Sequence, residues 1–512
     1  MFCKILTATV LGVQALFVTV EADMDRGLPS FSMVGSLSGE VKESRERVAV
    51  ALKNCGFQLP AAKITVNLAP ADVRKDGTGF DLPIAIAILQ SMGYIRQEQT
   101  EHILLIGELG LNGEIKKIPG ILPIVRAAAR AGIRECIVPA ENAREGGAVQ
   151  EMIVRGAKHL QQVLAFLRKE TGWESMLAPV RFDCNENLAW SGQNTEEDFS
   201  QVSGQRMAKR AGEIAAAGFH NLLMTGPPGS GKTMIAKRLA GILPALTPEE
   251  SMEITEIYSV AGQLTEDQPM ILSRPFLNPH HTISKTALTG GCIRPRPGIA
   301  SLSHRGILFM DEFPEFSPHV IDSLRQPLED HSVQINRIGG HVSYPADFLL
   351  VCAMNPCPCG YYPNLNRCRC TESRRIAYQS RISGPIMDRI DLWVELQKTN
   401  ISSLQSPKQE ENSQKIRERV TRARQMQEQR FVGKKYRFNG EIPVGDMEKC
   451  CPLGEKEKKV MEELYSSLEL SARSYHRVIK VARTIADLEG EETIRENHLL
   501  EAALYRPGEM SR

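Results

Sequence analysis

The chemistry of this chain is concentrated first in one glycine-rich run, Gly226-Pro227-Pro228-Gly229-Ser230-Gly231-Lys232-Thr233. Glycines at these positions let backbone N–H groups turn inward around a phosphate, at the positive end of a following helix. Lys232 supplies a point charge for β- and γ-phosphates, and Thr233 offers its hydroxyl to Mg²⁺. The flanks suit that task. Asn221 to Thr225 is a short apolar run that reads as a buried strand, and MIAKRLAGIL places Ile235, Leu239 and Ile242 at helical spacing. Strand, glycine loop and helix in that order predict a nucleotide site for ATP or GTP.

A second stretch ends four apolar residues in two carboxylates, Gly306-Ile-Leu-Phe-Met310-Asp311-Glu312. An acidic pair at the tip of a buried strand fits Asp311 to the Mg²⁺ shell and Glu312 to orienting and deprotonating a water. A third apolar run, FLLVCAMN, ends in Asn355, a neutral amide suited to positioning that water. In Ile386-Met-Asp-Arg389-Ile-Asp391 an arginine stands among acids. It reads either as a structural ion pair or as a guanidinium that reaches a neighbouring subunit's nucleotide.

Four thiols fall within fourteen residues as Cys357-Pro-Cys359 and Cys368-Arg-Cys370. Three readings stand open: a structural zinc ion held by four thiolates, redox-sensitive thiols, or small buried residues.

The elements that must hold these groups are legible more coarsely. At 512 residues the chain is long enough for two to four domains, and its net charge of +1 confines any nucleic-acid contact to a local patch. Its 12 cysteines lack a secretory context. The N-terminal apolar run is broken by Thr7, Thr9, Gln14 and Thr19 and alternates like a strand, so the expectation is a cytoplasmic protein with no membrane segment. Strand-like segments at 5–20 and 63–68 alternate with helical ones at 39–54, 81–92 and 120–132, and ECIVPA adds a further strand. A first α/β unit therefore spans 1–175. Polar residues dominate 176–205, a linker or docking strand. The nucleotide core follows at 206–400, and 401–512 reads as a polar connector and a small helical bundle covering the nucleotide.

Two stretches of the first unit, Lys75-Asp-Gly-Thr-Gly-Phe-Asp81 and Ile106 to Gly132, resemble the proteolytic domain of Lon-type proteases. The resemblance implies that fold, of the ribosomal S5 domain 2-like kind. The position of the nucleophilic serine is Gly79 and that of its partner lysine is Leu122, so the Ser–Lys chemistry has no side chains to run on. Ser36, Ser38 and Ser44 read as turn or cap residues.

Over essentially its whole length the chain resembles the magnesium-chelatase-like AAA+ ATPases of the YifB/ComM type. The motifs are KRAGEIAAAG (209–218), GPPGSGKT, NPHHTIS (278–284), PRPG (295–298), LFMDEFPEF (308–316), LRQPLED (324–330), AMNPCPCGYYP (353–363) and RISGPIMDRIDL (381–392). The resemblance implies a multidomain α/β architecture: a Lon-like N-terminal domain, an AAA+ core with a parallel sheet, and a helical C-terminal lid. It implies ATP and Mg²⁺ as ligands, with Asn355 as sensor 1, Arg389 as arginine finger and Arg473 as sensor 2 reaching back from the lid. It further implies a homo-oligomeric, hexameric ring acting as a helicase on single-stranded or branched DNA in branch migration. Two positions depart from the pattern: Gly290-Gly-Cys292 where a glycine triplet is usual, and Ile299 where an acid is expected after PRPG.

Both departures fall in 274–305, which carries Arg274, His280, His281, Lys285, Arg294, Arg296 and His304 with almost no acid. This segment reads either as a pore loop tracking a phosphate backbone or as a solvated loop. Two functions of different class remain: a DNA-translocating motor, and a chelatase- or chaperone-like ATPase that remodels a protein.

Overall fold

The computed structural model describes residues 2–183, 197–291, 295–337, 340–398 and 410–506. Of the segments singled out above, 184–196, Cys292, Arg294 and 401–409 lie outside the described residues.

The N-terminal region is built on an eight-stranded mixed sheet, in the spatial order β10-β9-β8-β5-β1-β2-β4-β3. Its strands are β1 (Cys3–Leu11), β2 (Gln14–Asp25), β3 (Ser30–Val34), β4 (Lys63–Ala69), β5 (Ile103–Leu105), β8 (Glu135–Pro139), β9 (Ile153–Ala157) and β10 (Pro179–Val180). A small hairpin of β6 (Glu108–Leu109) and β7 (Ile115–Lys116) stands apart from it. The apolar start of the chain, read as one strand-like segment, is two antiparallel strands. Gly12, at φ +66°, supplies the turn between them. The helices Gly39–Asn54 and Asp81–Ser91 pack in one core, and Ile121–Arg130 packs in another. Asp81–Ser91 is buried along its whole length, and its Asp81 carboxylate meets the Arg47 guanidinium at 2.8 Å. Gly79 lies where a Cβ would come within 3.0 Å of Ile118 and 3.2 Å of Ile106, and Leu122 is fully buried. Apolar side chains thus stand against Gly79 and enclose Leu122, the two positions that the resemblance to Lon-type proteases matches to their dyad.

The nucleotide core is a five-stranded sheet ordered β12-β13-β16-β11-β17, with every neighbouring pair parallel. Its members are β11 (Leu222–Thr225), β12 (Phe276–Leu277), β13 (Ile307–Met310), β16 (Leu349–Met354) and β17 (Leu392–Glu395). All residues of β11, β13 and β16 are buried, as continuous apolar runs covered by helices on both faces require. A separate antiparallel hairpin, β14 (Ser332–Arg337) with β15 (Gly340–Pro345), stands apart from this sheet.

The first region rests on the core through the helix Pro248–Ala261. Arg126 pairs with Glu256 at 3.0 Å, the Gly120 amide donates to Ser259 O, and Met270 is buried in the same cluster as Ile121 and Leu122. On the same helix, Glu253 faces His304, Arg305 and Arg437 at 3.5, 3.2 and 3.7 Å. Burial favours a neutral His304 ring. The Asp347 amide donates to its Nδ1, which leaves the ring proton on Nε2 facing Glu253. Burial also works against the charged form of Glu253, yet the His304 donor and the two guanidiniums outweigh it and hold that carboxyl at about 2. An acid held below its unfolded value stabilises the fold above that value, about 4.3, and ceases to as pH falls through its folded one. Thermal melts should therefore show wild type losing stability between about pH 4.3 and about pH 2. Glu253→Gln, less stable at neutral pH, should lose less over that window; parallel curves would contradict the assignment.

The C-terminal helices are Ser413–Arg430, Glu455–Ser467, Ala472–Glu489 and Glu496–Ala503. They share a core with the helices Arg206–Gly218 and Lys232–Ile242. The charged helix Ser413–Arg430 buries Ile416, Val420 and Ala423 and pins several of its arginines within the chain. Arg419 bonds Glu213 and Glu411, Arg424 bonds Ala216 O, and Arg430 bonds Asp487.

Candidate active site

Three spatially adjacent strands, β13, β16 and β11, end at the same edge of the sheet and carry the candidate groups there. In open parallel sheets ligands bind outside the carboxyl ends of the strands, and this edge is that place. The phosphate loop leaves β11, with Gly229 and Gly231 at φ +76° and +95° and open space where a Cβ would stand. The helix Lys232–Ile242 starts directly behind it. Lys232 Nζ donates to Gly226 O at 2.6 Å, to Pro227 O at 3.1 Å and to Asn355 Oδ1 at 3.2 Å. Burial pulls the Lys232 ammonium below its ordinary pKa, while Asp311 and Glu312 act to raise it. An anionic phosphate would restore the balance of charge.

Thr233 Oγ1 donates to Asp311 Oδ2 at 2.8 Å. Two hard oxygens at this separation fit adjacent corners of a Mg²⁺ octahedron, whose O–O edge is about 2.9 Å. Thr225 Oγ1 and Ser230 Oγ, at the end of β11 and in the loop, are buried and have no hydrogen-bond partner among the described residues. Orphaned hydroxyls, open glycines and a desolvated lysine suit a nucleotide phosphate. Glu312 takes φ +51°, and its amide donates to Asp311 Oδ1 at 2.9 Å. That left-handed step sends the two carboxylates to different neighbours. Asp311 faces Thr233, and Glu312 stands half-exposed, 3.6 Å from His281 Nδ1.

The opposite edge of the sheet holds the arginines. Residues 388–391 precede β17, and Asn221, which precedes β11, bonds them there through its amide to Asp391 and its side chain to Arg389 O. Arg389 donates to Pro385 O at 2.7 Å and pairs with Glu329. Arg473 was expected to reach its own chain's nucleotide from a covering lid, and the structure does not bring it there. Its Nη1 lies 3.5 Å from Asp388. The cause is the anchoring of its helix beneath the sheet. Arg477 donates to Ile390 O and pairs with Asp391, and Thr484 bonds His220. The bundle therefore sits under the amino ends of β11 and β17 rather than over the phosphate loop.

The basic segment is also not one stripe. Arg274 is buried against Glu250 at 2.9 Å and bonds Pro244 O and Arg305 O, while His304 is buried beside Glu253. His281 faces Glu312, and the His280 ring lies tilted against that of His281. Lys285 and Arg296 are the exposed cations among the described residues of this segment. The helix Pro248–Ala261 supplies the neutralising acids from outside the segment, which is why the segment alone looked purely basic.

Three contributors to the site went unread in the sequence. Gln205 Nε2 straps the loop, donating to Ser230 O at 3.3 Å and Gln397 O at 2.6 Å. His281 faces the acidic pair, and Gly360 lies against Pro228. His281 and Gly360 stand within the motifs NPHHTIS and AMNPCPCGYYP, and Gln205 ends the linker or docking strand at 176–205, but nothing local told what each meets. The cysteines 357, 359, 368 and 370 come together on the turn after β16.

A parallel sheet with a phosphate loop, an acidic pair and a polar amide at one edge defines a P-loop nucleotide-binding core of AAA+ type. The core and the helices after it match family models described as "Magnesium chelatase, subunit ChlI" over residues 198–404 and "Magnesium chelatase, subunit ChlI C-terminal" over 410–506. "Subunit ChlI of Mg-chelatase" matches 20–142. The protein YifB of Salmonella typhimurium is 41% identical over 501 residues, covering 98% of this chain and 96% of its own. The competence protein ComM of Haemophilus influenzae is 41% identical over 498 residues, covering 97% and 96%. This chain belongs to the YifB/ComM family of magnesium-chelatase-like AAA+ ATPases. Lon protease 2 of Bacillus subtilis is 28% identical over 137 residues, 24% of each chain. Among the described residues no helix is long and apolar enough to cross a membrane.

Proposed function

We propose that this chain is an ATP-hydrolysing ring motor, assembled as a hexamer, that acts on single-stranded or branched DNA as a branch-migration helicase in recombination or natural transformation. The carrying observation is the split between the two edges of the core sheet. The phosphate loop, Asp311, Glu312 and Asn355 lie at the carboxyl edge, while Arg389 and Arg473 lie at the amino edge. One copy thus holds both halves of a site and cannot bring them together, whereas a head-to-tail ring can.

In this reading Gly226–Thr233 binds the phosphates and Lys232 neutralises the β- and γ-oxygens. Mg²⁺, when held by Thr233 and Asp311, supplies further charge neutralisation. Glu312 orients and deprotonates the attacking water, and Asn355 holds that water and the lysine in register. Arg389 of one copy completes the next copy's site, and Arg473, paired with the neighbouring Asp388, acts across the same seam. The units are a Lon-like domain at 1–175, a linker at 176–205, the ATPase core at 206–400 and a helical C-terminal bundle at 401–512, in a cytoplasmic protein. The similarity to Lon protease 2 supports the first of these, and the similarity to a protein named for competence supports DNA as the track.

The test is ATP turnover with and without DNA. Single-stranded or branched DNA should raise the rate several-fold, steeply less so as salt increases, and Lys232→Ala should abolish it. A rate indifferent to both DNA forms would replace the DNA track with a protein substrate, as in chelatase- or chaperone-type motors.

A further inference from the structure

The turn after β16 has almost no apolar core of its own. Between Cys357 and Cys370 the buried apolar side chains are two of the cysteines themselves, Cys357 and Cys368, while Leu365 is 77% and Tyr361 42% exposed. The sulfurs stand where a core would be. Sγ of Cys357 and Cys359 are 3.3 Å apart, Cys357 and Cys368 3.7 Å, Cys359 and Cys368 3.6 Å, and with Cys370 all four lie within 4.8 Å of one another. A zinc ion with four thiolates at about 2.3 Å sets them on a tetrahedron of edge about 3.8 Å. The packing admits one central ion. An iron–sulfur cluster would spread the four thiolates over several irons.

This turn is built into the nucleotide site. It begins two residues after Asn355, whose Oδ1 accepts from Lys232. Its Gly360, at φ +81°, lies on the ring of Pro228 in the phosphate loop, where a Cβ would come within 2.6 Å of Pro228 Cδ and 3.7 Å of Asn355 Cγ. The turn is a wall shared by Pro228 and Asn355, and its shape depends on what joins the four sulfurs.

We propose that Cys357, Cys359, Cys368 and Cys370 hold one zinc ion, and that the metal-held turn keeps Pro228 and Asn355 in place, so that ATP affinity depends on zinc. The coupling rests on the reading of the phosphate loop as an ATP site; the metal site does not. When the ion is lost, the turn has no other core to hold it, and the wall behind the phosphate loop slackens.

The experiment measures metal content by elemental analysis and ATP affinity with a fluorescent ATP analogue on the full chain, purified without added metal. Wild type should carry one zinc per chain. Cys368→Ser should lose it and bind the analogue at least about tenfold more weakly, the scale on which support around a metal acts. Should Cys368→Ser not fold, chelator-stripped wild type takes its place, and re-added zinc should restore affinity. Gly360→Ala separates wall from metal: it should keep zinc and still weaken binding, because the new methyl displaces Pro228. Freshly purified protein with no metal, or with iron in place of zinc, would overturn the site. Full ATP affinity in zinc-free protein would overturn the coupling. Zinc-loaded wild type that binds no nucleotide would leave the metal site standing and remove the ATP reading instead.

Discussion

Arg389→Ala protein binds ATP as wild type does and turns it over about 10³- to 10⁵-fold more slowly, the range over which a guanidinium at a transferring phosphoryl group acts. Binding is spared because Arg389 lies before β17, at the edge of the sheet away from the phosphate loop that follows β11. Among the described residues its guanidinium pairs with Glu329 and bonds Pro385 O. The alternative is that Arg389 merely ties 384–391 together. The companion Glu329→Gln separates the two, because it removes the intrachain ion pair and leaves the guanidinium. If Arg389 works across the seam, Glu329→Gln retains most of the turnover. If the pair is structural, both variants lose turnover and melting temperature alike.

Glu312→Gln should lower turnover by about 10²- to 10⁴-fold, the usual contribution of a positioned general base, with ATP affinity and assembly unchanged. The separation of binding from turnover follows from the left-handed step at Glu312, which points Asp311 to Thr233 and leaves Glu312 free of that contact. Asp311→Asn, by contrast, should weaken Mg²⁺-dependent binding itself. Stopped-flow binding of a fluorescent ATP analogue, beside steady-state phosphate release, distinguishes the two carboxylates. Normal release by Glu312→Gln would mean that another group takes the water's proton.

The groups that act through contiguous backbone were legible in the sequence. A glycine loop between a strand and a helix has few conformations open to it, so Gly226–Thr233 announced its shape. The acid pair after ILFM and the amide after FLLVCAM followed from apolar runs too long and too continuous to be exposed. Groups that meet only in space were not legible. His281 beside Glu312, Gly360 on Pro228 and Gln205 across the loop are each joined by tertiary packing that no local pattern encodes. The hairpin β14–β15 does carry a local signal, since Val333, Ile335, Val342 and Tyr344 alternate with polar residues and are buried on one face. Arg274 and His304 misled because the acids that neutralise them, Glu250 and Glu253, sit on another element. For Arg473 the helix was legible and its placement was not, because the apolar core shared with the sheet's helices and the contacts of Arg477 and Thr484 with Asp391, Ile390 O and His220 decide which end of the sheet the bundle covers.

The split site is tested most directly by mixing two inactive proteins. Lys232→Ala lacks the loop lysine but keeps Arg389, and Arg389→Ala keeps the loop but lacks the guanidinium. In randomly mixed rings with independent sites, an equal mixture joins an intact loop to an intact neighbour at about one seam in four. ATP turnover should therefore rise from near zero to about a quarter of the wild-type rate at equal proportions, and fall off on either side. Turnover that stays at background at every ratio, in mixtures shown to co-assemble, would contradict a site shared between copies.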